Sequence, residues 1–331
     1  VPRGATRSRL HHQGSGELRG LVELRDQEAP AASQRLSELV TRIADELNRA
    51  HNASTSVPAP NSLTGRNIGT SFEAAINGFS GTTNVAVTNG SGAIVARAEV
   101  VFSGGTMTVN GTAATPANFL SVLNAELGGA ATATFNNGVL SIQATNTANG
   151  VVIADDPASP SSKTGRGFSH FFGLNDLIRS DRPALYDTGL TAASPHGFTA
   201  GETISFRFAG PSGARLRDIT VQIPPGGTMA DLVSALNDPM TGVGRMGTFA
   251  LDAQGRMGFT PLPGSNVSYS VVGDTTTQTT SSVSLSELFG LGRGVRSSRL
   301  GGFSVRSDIL AQPSRRALAR LDLNAAPRTS G

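Results

Sequence analysis

This chain of 331 residues repeats itself, and few folds can accommodate what it repeats. Thr115-Pro-Ala-Asn-Phe-Leu-Ser-Val-Leu-Asn124 matches Thr228-Met-Ala-Asp-Leu-Val-Ser-Ala-Leu-Asn237, each a Thr cap followed by a short helix with two or three apolar positions. Downstream, Asn137-Gly-Val-Leu-Ser-Ile142 matches Gln254-Gly-Arg-Met-Gly-Phe259, a turn feeding a strand. His170-Phe-Phe-Gly-Leu-Asn175 matches Glu287-Leu-Phe-Gly-Leu-Gly292, and upstream Asn89-Gly-Ser-Gly-Ala93 sits between strands as Gly210-Pro-Ser-Gly-Ala214 does. Landmarks kept in one order predict two copies of one supersecondary unit.

Each unit reads as strand, turn, strand, capped helix, hairpin, strand and a closing Phe-Gly-Leu. Val85 and Val87, Ile94 to Val101, and Met107 and Val109 supply strands in the first; Ile204, Phe206, Phe208, Ile219, Val221 and Ile223 supply them in the second. Alternation of this kind leaves one sheet face wet and one apolar, and the short helix is there to cover the apolar one. Phe119 and Leu123 are expected to pack as Leu232 and Leu236 do, with Phe172 and Phe289 as equivalent plugs of the two cores.

Ahead of the repeats runs an amphipathic helix. Leu36, Leu39, Val40, Ile43 and Leu47 share one face, and Arg35, Glu38, Arg42, Asp45, Glu46 and Arg49 fill the rest. Such a face needs a partner, yet the chain turns next into Gly, Thr, Ala and Asn. A second helical segment is expected only within Phe303 to Leu323: Ser307 or Asp308 as cap, Pro313 at a first helical position, and Leu318 and Leu321 as a narrow apolar edge able to cover part of the seam.

Length favours more than one domain, and soft joints fall at Ser54 to Gly65, Arg179 to Pro195 and Gly290 to Gly302. The predicted architecture is α+β and multidomain: residues 1–15 a disordered tail or cleavage remnant, 16–60 with 298–331 a discontinuous helical rod piece, 61–180 a first β-rich domain, and 181–297 a second that repeats it.

Chemistry-bearing patterns are sparse. There is no Cys for disulfide or thiolate-metal chemistry. The five histidines, His11, His12, His51, His170 and His196, show no metal-ligand spacing, and Asp155 with Asp156 is followed by no EF-hand pattern. No nucleophile elbow, phosphate-cradling loop or zinc-protease helix occurs, so no catalytic, cofactor or metal residue is assigned. A net charge of +3 with a pI near 10.1 reflects bases that are nearly all Arg, with Lys163 the single lysine. The densest basic cluster, Arg293, Arg296 and Arg299, lies in a Gly and Ser stretch without interleaved aromatics, which predicts a solvated linker rather than a nucleic-acid surface. No apolar run approaches a membrane span, and Val1 to Gly14 lacks the pattern of a secretory signal.

Four phrases taken together, GELRGLVELRD at 16–26, IADELNRAHN at 43–52, FFGLNDL at 171–177 and VRSDILAQPSRRALARLDL at 305–323, resemble the flagellar hook-associated protein 1 family, the first of the hook-filament junction proteins. The resemblance spans most of the chain and is most specific at its two ends. It implies an extracellular structural adapter, exported through the flagellar channel without a cleaved signal. It also implies the hook protein, the second junction protein, and the export machinery with its chaperone as partners. In that family, terminal helices pack as coiled coils while β domains project outward. The absence of long heptad helices here implies a fragment that stays monomeric. The alternative reading is a β-rich surface or phage-tail adhesin that binds glycans; an adhesin has no reason to split a helical unit across its β domains. An axial cell-wall hydrolase is a third class, disfavoured by the missing acid pairs.

Overall fold

The computed structural model describes residues 16, 20–21 and 24–323, so the expected tail at 1–15 and the stretch from 324 onward lie outside the described residues. The fold is α+β. A five-residue π-helical turn, Leu24–Glu28, runs into the long helix α1, Ala29–Asn52, which has Pro30 near its start. The first β-rich unit then follows: β1 (Ser62–Thr64), α2 (Phe72–Ile76), β2 (Gly81–Thr88), β3 (Ile94–Ser103), β4 (Thr106–Val109), β5 (Thr112–Ala114), α3 (Phe119–Glu126), β6 (Ala131–Asn136), β7 (Val139–Ala144), β8 (Gly150–Asp155), α4 (Phe168–Phe172) and β9 (Ile178–Ser180). Its strands form a five-stranded sheet ordered β5-β4-β3-β2-β8 and a three-stranded sheet ordered β1-β7-β6, all pairs antiparallel. Phe79, Phe102, Phe119, Phe168, Phe171 and Phe172 make a contiguous ring cluster between these layers.

The second unit comprises β10 (Thr203–Ala209), β11 (Arg215–Gln222), α5 (Met229–Leu236), β12 (Gly247–Leu251), β13 (Met257–Pro261), β14 (Ser268–Asp274) and α6 (Leu285–Phe289). Its sheet is ordered β11-β10-β14, with β12 and β13 as a separate hairpin. The order β3-β2-β8 with hairpin β6-β7 in the first unit thus has a counterpart in β11-β10-β14 with β12-β13. Phe206, Phe249, Phe259 and Tyr269 fill this core. The side chains named as repeat core, Phe119, Leu123 and Phe172 in one unit and Leu232, Leu236 and Phe289 in the other, are all buried.

The match extends to individual hydrogen bonds. Asn89 N–H donates to Ala93 O and Gly92 N–H to Asn89 O, each at 2.9 Å; Gly210 to Ala214 and Gly213 to Gly210 repeat both bonds at 2.9 Å. Thr115 and Asn118 bond reciprocally as the capping-box pair Thr228 and Asp231 do, although the helix proper starts at Phe119 in one case and Met229 in the other. Asn124 accepts from Ala133 N–H (2.7 Å) and donates to Ala133 O (2.9 Å); Asn237 does the same with Phe249 at 2.7 and 2.8 Å. α4 and α6 both end at a left-handed glycine, Gly173 or Gly290, with a six-to-one bond from Leu174 to Ser169 (3.0 Å) or Leu291 to Ser286 (2.9 Å). Asp155 holds the Ser161 hydroxyl, which accepts from Phe168 N–H; Asp274 holds the Thr276 hydroxyl, which accepts from Leu285 N–H. The paired-acid motif Asp155-Asp156 therefore uses its first carboxylate to start a helix.

Three expectations at the C-terminal end are corrected. The Arg293 to Arg299 cluster is not a solvated linker: Arg293–Ser298 forms the helix α7, Arg299 is 7% exposed, and the chain passes through a 3-10 turn at Arg299–Gly302 into β15, Phe303–Val305, which pairs with β9. The short helix α8, Ser307–Ala311, is preceded by Arg306, and Pro313–Arg315 is a single 3-10 turn. No helix includes Leu318 or Leu321; residues 317–319 run extended, with reciprocal bonds from Thr55 N–H to Ala319 O (2.7 Å) and Ala319 N–H to Thr55 O (2.9 Å). Five residues from Pro313 to Ala317 do not complete two turns, and the backbone satisfies its donors on Thr55 and His51 instead.

Candidate functional site

Helix α1 has three faces, and the apolar one does not face the protein. Ser37, Thr41, Ala44, Asn48, His51 and Asn52 are the buried residues of this helix. Leu36, Leu39, Ile43 and Leu47 are 53, 55, 51 and 45% exposed, and Val40 is half-buried at the border between the two faces. The third face carries Arg35, Glu38, Arg42, Glu46 and Arg49. The expected seam with Leu318 and Leu321 is therefore corrected: Leu318 is 83% exposed and Leu321 half-buried, and neither belongs to a helix that covers the stripe. The first helix and the segment 317–319 do meet, but at the polar C-terminal end of α1.

The buried face is small and polar because it docks through hydrogen bonds instead of apolar interdigitation. Ser37 Oγ donates to Arg296 O (2.7 Å) and accepts from Arg299 Nε (3.1 Å), which ties α1 to α7. Asn48 Oδ1 accepts from both Leu177 N–H (2.9 Å) and Ile178 N–H (2.8 Å), while its amide donates to Ile178 O (2.8 Å). Asn52 donates to Asp176 (2.7 Å) and accepts from Ser169 Oγ (2.7 Å) and Asn175 N–H (2.9 Å). His51 donates from Nδ1 to Asn175 O (2.6 Å) and accepts at Nε2 from Ala317 N–H (3.0 Å), so the neutral imidazole is the form that fits. Burial lowers its pKa, with the bond to Asn175 acting the other way.

Charges complete the attachment. Asp45 lies 2.8 Å from His170 Nε2 and 3.4 Å from Arg166 Nε. Burial alone would raise the Asp45 pKa, but the His170 contact and the Arg166 charge outweigh it and hold the carboxyl at about 2. Arg166 also bonds Asp187 (3.0 Å), which is engaged in turn by Arg256 of the second unit. One ionic chain thus links α1, the first unit, the segment between the units, and the second unit. Lys163 is buried and donates its three ammonium protons to Ala74 O (2.9 Å), Ala75 O (2.7 Å) and Asn77 O (2.7 Å) at the end of α2. Burial pulls its pKa down to about 7.

The composite is a rigidly held helix that presents a row of four large aliphatic side chains to solvent. A row of this kind is compatible with the apolar face of another helix. Sequence reasoning found the stripe and assigned it inward. It missed the docking residues Ser37, Thr41, Ala44 and Asn48, whose helical spacing of four, three and four is as regular as that of the leucines but lies in small and polar residues. No protein-family model matches the chain, and no curated protein matches it. Among the described residues no helix is long and apolar enough to cross a membrane.

Proposed function

We propose that this chain is a structural adapter, part of a flagellar hook-filament junction protein. In this reading α1 belongs to an inner helical rod, and Leu36, Leu39, Ile43 and Leu47 pack against helices of its assembly partners. The two β-rich units, a tandem duplication at about residues 61–180 and 181–297, project from the rod. The observation that carries the reading is the exposed apolar stripe on a helix whose opposite face is locked by hydrogen bonds and buried charge. Among the described residues nothing covers this row, and an exposed apolar stripe on a docked helix supports the reading of an interaction surface. The matched bonds of Asn124 and Asn237, and of Asp155 and Asp274, support the duplication. The partners in this reading are the hook protein and the second junction protein, with the export machinery and its chaperone on the way out. The location is extracellular, and the role is mechanical, not enzymatic.

The test is deletion of the gene followed by electron microscopy and a motility assay. Hooks that lack filaments, with unpolymerised flagellin released to the medium, are expected. Cells that swim normally but lose attachment to glycan surfaces would replace this reading with the adhesin.

A further inference from the structure

A cavity of about 360 Å³ opens where α1, the segment 184–187, the hairpin β12-β13 and α7 converge. Five arginines line it, Arg42, Arg166, Arg256, Arg296 and Arg299, against three carboxylates. Asp45 and Asp187 are already engaged by Arg166 and Arg256, which leaves Arg42, Arg296 and Arg299 facing only Glu38. Arg296 bonds through Nε to Gly290 O (2.7 Å), and Arg299 through Nε to Ser37 and Nη1 to Ala184 O (2.9 Å). Neither forms an ion pair with a carboxylate among the described residues, although Arg299 is 7% exposed. Both guanidinium groups flank Tyr186, at 5.8 and 5.2 Å from its ring centroid. The Tyr186 ring, not its buried hydroxyl, forms the floor between them, and Gly290, against which the ring packs, has no room for a side chain. Among the described residues the lining carries more guanidinium groups than carboxylates, which makes this side of the cavity positive.

We propose that this cavity binds an oxyanion, either a free phosphate-like ion or a carboxylate presented by a partner chain, held by Arg296 and Arg299, with Arg42 at the rim. An oxyanion supplies in one group the charge and the lone pairs that these side chains lack.

The test is thermal unfolding during titration with sodium phosphate, and separately with sodium acetate, each against sodium chloride at matched ionic strength. A ligand bound only by the folded state raises Tm in a saturable way. A saturable rise with phosphate, lost in both Arg42→Gln and Arg296→Gln and retained in Arg217→Gln on the exposed side of β11, is the expected result. Phosphate acting alone identifies a free ion as the ligand; acetate acting equally well identifies a carboxylate from a partner. Because the chain has no Trp and only two tyrosines, tyrosine emission gives a second readout, expected to saturate at the same concentration in Tyr269→Phe. A Tm rise that never saturates, that chloride reproduces, or that survives in both cavity variants would overturn the proposal.

Discussion

Asn237 ties α5 to β12 from the C-cap position just after the helix. Its amide replaces one rung of a sheet ladder, satisfying both backbone groups of Phe249, and Asn124 does the same for Ala133. Asn237→Ala leaves a buried N–H and C=O unpaired, which costs about 1–3 kcal/mol; chemical denaturation should show that loss with an unchanged slope. The recurrence of Asn nine residues after each Thr was visible in the sequence. Its role was not, because a bond to a strand twelve residues away leaves no periodic trace. Lys163 presents the opposite case: composition marked it only as the single lysine, and the structure makes it the cap of α2. An amine-reactive ester should label the folded protein at Lys163 far more slowly than the unfolded chain, despite a pKa near 7 that would make an exposed amine reactive; equal labelling rates would place Lys163 outside the core.

At the scale of elements, the helix α1 was legible and its orientation was not. Hydrophobic periodicity says that a helix has an apolar face, and the ordinary inference turns that face inward. Here the inward face is the one with Ala44 and Asn48, chosen by specific hydrogen bonds to β9 and α4. Two substitutions one residue apart separate the cases. Ile43→Asp, on the exposed stripe, should change the stability of the isolated chain by less than about 0.5 kcal/mol. Ala44→Leu, on the buried face, should cost about 1–3 kcal/mol by overpacking. The extended segment at 317–319 is tied to the same helix through His51. Its pKa is lower in the folded state than its ordinary value of 6.5, so the unfolded chain binds the extra proton first. The stability carried by the neutral ring is therefore full above about pH 6.5 and declines as pH falls through the folded pKa. The protection factor of the Ala317 amide should fall on acidification in the native protein and stay level in a folded His51→Gln variant; an equal fall in both would remove His51 from the account.

For the whole molecule, the α+β class was the most legible part, since the alternating apolar residues at 85–101 and 204–221 lie in antiparallel strands and Phe119, Phe172, Leu232 and Phe289 are buried. The way the parts join was least legible, because Asp45, Arg166, Asp187 and Arg256 are far apart in sequence and each reads alone as a solvated charge. That ionic chain predicts acid sensitivity. Asp45, held at about pH 2 against an ordinary value of 3.8, contributes fully above about pH 4 and is lost as pH falls toward 2, roughly 1–2 kcal/mol once partial solvent screening is allowed for. Asp45→Asn should flatten that part of the pH profile. The central claim is that the outward leucine stripe of a locked helix is an assembly surface, and the most direct test is Ile43→Asp in the intact protein in cells, with the stability of the purified chain measured in parallel. The account predicts unchanged stability together with hooks that carry no filaments. Normal filaments and swimming from cells with Ile43→Asp would contradict it.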